Sequence, residues 1–130
     1  MKHIVLGFSL LFCLLVLSNA AMAYYSTPGD VVVGNEVVMR VRDNAGGYSV
    51  EERVRAVNQR LVEILSYAPV NNVSVSVHLM RGNYVISVGK YQLITVDKNL
   101  ADANNSTPEK LAKTWAKNLL PALKREKPNI

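Results

Sequence analysis

The hydrophobic pattern changes period several times along the chain. From Ile4 to Leu17 it is almost wholly apolar, yet shorter than the roughly 20 residues needed to span a bilayer. Lys2 precedes this run and Ala21-Met22-Ala23 follows it, which is the layout of a cleavable export signal with its cut between Ala23 and Tyr24. The expected organisation is a signal peptide over 1–23, a flexible stretch over 24–30, one domain over 31–123 and a solvated tail over 124–130.

Val31-Val32-Val33 followed by Gly34-Asn35 reads as a strand and a turn. From Glu36 to Arg42, Val37, Met39 and Val41 alternate with Glu36, Arg40 and Arg42, the period of a half-buried strand. The turn-forming cluster Asp43 to Gly47 ends it. Ser49 and Glu52 have capping-box spacing, in which each side chain can satisfy a backbone N–H left unpaired by the first helical turn. Val50, Val54, Val57, Leu61, Ile64, Leu65 and Ala68 then fall at helical spacing, so a helix is predicted to about Tyr67, stopping before Pro69.

A meander of three strands is predicted next. Val73, Val75, Val77 and Leu79 alternate with polar neighbours, Arg81-Gly82-Asn83 turns the chain into Tyr84 to Val88, and Gly89-Lys90 turns it into Tyr91 to Val96. Asp97 to Asn105 reads as a short helical turn and loop capped by Asp97. Thr107 is placed to cap a second long helix with Pro108 at its first position. Leu111, Ala112, Trp115 and Leu119 form its buried face until Pro121 kinks or ends it.

This order, strand, helix, three-strand antiparallel meander, helix, predicts an α+β fold: a two-layer sandwich with both helices on one face of a four-stranded sheet. Tyr84, Tyr91 and Trp115 fall on the core side. The opposite face stays open and carries Arg40, Arg42, Ser74, Ser76, His78, Ser87 and Gln92.

Composition narrows the chemistry. Removing 23 of 130 residues leaves 107, enough for one domain with one modest core. The single cysteine, Cys13, lies inside the apolar run, so the exported chain has neither a disulfide framework nor a thiolate metal site. The net charge of +5 is a mild excess that favours anionic partners.

Three blocks carry a family resemblance: Gly34-Asn35-Glu36-Val37-Val38-Met39-Arg40-Val41, then Tyr48-Ser49-Val50-Glu51-Glu52-Arg53 with Val57-Asn58-Gln59-Arg60-Leu61, and Ser106-Thr107-Pro108-Glu109-Lys110-Leu111-Ala112 with Trp115-Ala116. Through them Val31 to Leu123 resembles the extracytoplasmic domain that precedes the pore in some bacterial proteins of the small-conductance mechanosensitive channel family. No apolar run follows the signal here, so the resemblance implies a stand-alone exported domain without the pore. It brings no catalytic or ligand residues.

His78 is the only histidine beyond the signal. Ser76 lies two residues away on the same strand face, which leaves a small envelope hydrolase using Ser76 and His78 as the alternative reading. No Gly-x-Ser-x-Gly elbow and no glycine-rich phosphate loop accompany them. Arg53, Arg55 and Arg60 read as a solvated helix face with nearby Glu partners. The expectation is a non-enzymatic exported module, periplasmic or extracellular, without metal or cofactor. Its partner would be an envelope protein or an anionic envelope component rather than nucleic acid, held on Arg40, Arg42, Ser76 and His78, and its setting next to a membrane channel or transporter.

Intact-mass measurement of protein recovered outside the cytoplasm is expected to give a chain starting at Tyr24. A mass retaining Met1 to Ala23 would instead identify an anchor.

Overall fold

The computed structural model describes residues 27–44, 47–67 and 73–126. The expected signal and its cleavage point at Ala23 and Tyr24 lie outside them, as do the last four residues of the expected tail.

The elements in chain order are β1 (Asp30–Val33), β2 (Glu36–Arg40), α1 (Val50–Tyr67), β3 (Val75–Met80), β4 (Asn83–Val88), β5 (Tyr91–Val96), α2 (Lys98–Ala103) and α3 (Pro108–Glu126). The class is α+β. The strands form two antiparallel sheets, β1–β2 and β3–β4–β5, rather than the one four-stranded sheet expected. Strand pairing is a long-range property, and period-2 patterning does not encode it.

Local signals account for the element boundaries. The Glu52 N–H donates to Ser49 Oγ at 3.2 Å, the Leu100 N–H to Asp97 Oδ1 at 2.8 Å and the Lys110 N–H to Thr107 Oγ1 at 3.3 Å, so all three helices start on the side chains that the sequence places there. The β3–β4 turn needs only Arg81 and Gly82, both at positive φ (51° and 81°), and Asn83 already pairs with Met80. Two positive φ angles give the turn the hand that matches strand twist. Gly29 is fixed by close approach: its carbonyl accepts from the Val41 N–H at 2.8 Å, and at φ 92° a Cβ would lie 2.2 Å from the Val41 carbonyl oxygen. Asp30 follows it as the first residue of β1, so the expected flexible stretch ends one residue early.

Two bulges redirect side chains from the expected alternation. Val31 pairs with Met39 but Val32 with Val37, which leaves Val38 as an extra residue in β2. Val38 and Met39 are therefore both buried while Val37 faces out, against the reading that put Val37 inside. In β5, Ile86 pairs with Ile94 but Ser87 with Gln92, so Leu93 is extra and packs into the core beside Ile94. Beyond that bulge Tyr91 is 38% exposed rather than buried, and its ring sits 5.5 Å below the Lys90 ammonium.

One hydrophobic core joins Val57, Leu61 and Ile64 of α1, Leu111, Ala112, Trp115, Leu119, Ala122 and Leu123 of α3, and the inner faces of both sheets. Pro121 does not end α3, and Lys124 to Glu126 of the expected tail still belong to the helix. The helix runs to Glu126, with Pro121 on its exposed side and Ala122 and Leu123 buried just beyond it. The proline ring deprives the Lys117 carbonyl of its helical donor, and Lys117 and Pro121 are both exposed residues. Packing of the last turn outweighs the helix-breaking cost.

Trp115 is 4% exposed. Trp115→Ala is expected to destabilise the domain by about 3–5 kcal/mol, read from denaturant unfolding. Folded wild-type protein should show blue-shifted tryptophan emission that moves red on unfolding.

Candidate interaction site

The four residues expected to form one patch are not joined by strand pairing. Arg40 ends β2 and pairs across the β1–β2 ladder with Asp30, Nε to Oδ1 at 3.6 Å, while Asp30 also accepts from the Thr27 hydroxyl at 2.8 Å. That guanidinium is committed to its own hairpin. Arg42 is exposed beyond the strand end. Ser76 and His78 lie on β3, in the other sheet, exposed and half-buried respectively, and among the described residues neither makes a side-chain hydrogen bond.

The back of the three-stranded sheet is also less open than its alternation suggests. Ser87 and Val85 are buried there, at 5% and 2% exposure. Gln92 Nε2 donates to Met80 Sδ at 3.5 Å, and these two residues belong to strands on opposite sides of β4. The long side chains of both edge strands thus reach toward each other across the central strand.

A two-lobed concavity lies instead along β5, whose only strand partner among the described residues is β4. Its other side faces α1. At its centre the Arg60 guanidinium donates through Nη1 to the carbonyl oxygen of Leu93, the bulge residue, at 3.0 Å. On either side of Arg60 the space opens. One lobe of about 640 Å³ is bounded by Tyr48, Glu52, Arg53, Arg55, Gln59 and Thr95. The other, of about 360 Å³, is bounded by Glu63, Ile64, Tyr67, Tyr91 and Gln92. Tyr48 and Tyr67 stand 62% and 75% exposed at its two ends.

The arginines in this groove do not take the expected glutamate partners. Arg53 donates through Nη1 to the Asp43 carbonyl oxygen at 2.9 Å, which ties the start of α1 to the chain leaving β2. Arg60 holds the β5 bulge. Arg55 is exposed and makes no ion pair or side-chain hydrogen bond among the described residues. The groove therefore has two arginines that build it and one left free. A sequence signal for it exists in the second stripe of α1: Glu52, Ala56, Arg60, Glu63 and Tyr67 recur at helical spacing beside the apolar stripe.

Among the described residues, no three His, Cys, Asp or Glu side chains cluster as metal ligands would, and no helix is long and apolar enough to cross a membrane. Among the described residues, two groups show a clear electrostatic perturbation, both on α3. The Lys113 ammonium, 2.7 Å from Glu109 Oε1, holds that carboxyl below the usual carboxylate range by hydrogen bonding and charge. Glu109 holds the ammonium above the usual lysine range in return.

Because the folded Glu109 pKa is lowered, the pair's contribution is present above the unfolded carboxylate value and is lost as pH falls through the folded one. Because the folded Lys113 pKa is raised, the contribution is present below the unfolded lysine value and is lost as pH rises through the folded one. The contribution is small, since both groups face water. In an NMR titration the Glu109 carboxyl should titrate below the usual range in wild type and move up in Lys113→Ala; an unmoved midpoint would mean the pair does not persist in solution.

No curated protein and no solved structure matches the chain. One family model, Domain of unknown function (DUF8459), matches residues 30–126, from the first residue of β1 to the last of α3. The match spans the whole described architecture, and the chain belongs to that family.

Proposed function

We propose that this chain is a non-enzymatic exported module of the cell envelope that binds an extended, acidic segment of a partner protein in the groove between α1 and β5. The observation that carries the reading is the free guanidinium of Arg55 in a two-lobed groove whose shape is fixed by Arg53 and Arg60. A carboxylate of the segment pairs with Arg55 in the larger lobe. An apolar or aromatic side chain packs against Tyr67 and Tyr91 in the smaller one. The groove offers charge at one end and amphipathic rings at the other, a combination suited to a peptide more than to a small metabolite. The resemblance to the domain that precedes a channel pore supports a setting beside a membrane channel or transporter.

A displayed library of random peptides panned on the protein tests this reading. Selected peptides should be enriched in Asp and Glu, and their NMR shift perturbations should fall on Tyr48, Arg55, Tyr67 and Thr95. Arg55→Glu should weaken them by about tenfold or more, the scale of a lost charge-assisted hydrogen bond, with an unchanged circular dichroism spectrum. Peptides that perturb another surface, or binding indifferent to Arg55→Glu, would overturn it.

A further inference from the structure

The outer face of α3 carries a second feature, independent of the groove. Lys110, Lys113, Lys117 and Lys124 are all exposed. Their spacings of three, four and seven residues place them on one line along the helix, opposite the stripe of Leu111, Trp115 and Leu119 that is buried in the core. The line extends over 14 residues, about 21 Å at the helical rise. The acidic residues beside it, among the described residues, are Glu109, which pairs with Lys113, and Glu36, which borders the same surface concavity as Lys117. Arg125, at the flank, is in contact with Glu36. The ridge therefore presents three uncompensated positive charges in a row.

We infer that this ridge docks the domain sideways on an anionic lipid bilayer. The shape argues for a bilayer over a discrete ligand: the lysines stand on the convex side of a helix, and the concavity that borders Lys117 also holds the Glu36 carboxylate, which repels a phosphate group. A planar array of headgroups can meet the whole row at once. All four cations are lysines, flexible point charges that need no fixed bidentate partner. The apolar side of α3 is already consumed by the core, so the contact is electrostatic and does not require insertion. Lys110, Lys113 and Lys117 each lie within about one Debye length of the next at physiological salt, with Lys124 about 10 Å further along, so the fields of the first three add most strongly at the surface.

Each lysine at a negatively charged leaflet strengthens partition about fivefold. The experiment compares the protein, purified as its host produces it, on phosphatidylcholine vesicles and on vesicles of phosphatidylcholine mixed with phosphatidylglycerol. Taking the ratio of the two partitions cancels any contribution from the apolar N-terminal segment. Wild type should favour the anionic vesicles by more than about tenfold at low salt, and less as salt is added. The fourfold variant K110Q/K113Q/K117Q/K124Q should lose that preference, whereas the fourfold Lys→Arg variant should keep it. Both should retain the wild-type circular dichroism spectrum, since Gln and Arg are as helix-compatible as Lys.

A Gln variant that keeps the preference, or an Arg variant that loses it while folded, would overturn the inference. So would a wild type that is held by immobilised polyphosphate but not by the anionic vesicles, which would make the occupant a soluble polyanion. Peptide binding in the groove should be unchanged in the Gln variant, so failure of one surface leaves the other intact.

Discussion

The packing of α3 is the constraint on which the rest of this fold depends. The two sheets share no strand pairing, and α3 is the element that touches all five strands and α2 as well. Its buried stripe, Leu111, Ala112, Trp115, Leu119, Ala122 and Leu123, fills the core that the β1–β2 hairpin and the β3–β5 meander each leave half open. A two-stranded hairpin has marginal stability alone in water. Here it is retained because Val31, Val38, Met39 and Val41 are sealed by the helix. That requirement also explains Pro121: breaking α3 there would remove Ala122 and Leu123 from the core and release the Arg125 contact with Glu36 at the hairpin turn.

Much of this was legible in the sequence, and the failures share one physical cause. Caps, turns and helix stripes are local, so Ser49, Asp97, Thr107 and the Arg81-Gly82 turn identified the ends of elements. The alternation within strands failed at two bulges, and also at Leu79, which the pattern puts inside and which is 63% exposed near the end of β3. Both bulges occur where large apolar residues are adjacent, Val37-Val38-Met39 and Leu93-Ile94, so that either of two residues could be the one facing inward. Period-2 reading must choose one, whereas an inserted residue allows two consecutive side chains to enter the core. The helix runs past Pro121 rather than ending there for a related reason. The helix-breaking cost of the proline is visible locally, while the buried contacts that outweigh it are made by residues distant in sequence.

The expected patch of Arg40, Arg42, Ser76 and His78 depended on two strands being neighbours, which no local pattern could establish. Once β2 pairs with β1, Arg40 meets Asp30 instead. The groove beside β5 had a weaker signal, a polar and aromatic stripe on α1 adjacent to the apolar one. Arginines on such a stripe are ordinarily solvated. Arg60 becomes structural only because the β5 bulge turns a carbonyl toward it, and the bulge was itself illegible.

These relations also decide where the molecule has surface to spare. The hairpin's outward arginine is paired within the hairpin, and Met80 and Gln92 meet across the back of the three-stranded sheet. The open positions are left to the flanks of α1 and α3, whose apolar stripes are fixed in a common core. A helix held in this way can vary its solvent-facing residues at little cost to stability, so charge can accumulate on Lys110 to Lys124 and a free guanidinium can persist at Arg55. Arg60 is the exception. One hydrogen bond from its guanidinium to Leu93 divides the groove into two lobes and steadies the exposed edge of β5, so a change there couples groove shape to the integrity of the sheet. The exposed wall positions Arg55 and Tyr67 are thus separable from the fold, whereas Arg60, which divides the groove, and Ile64, which belongs to the core, are not.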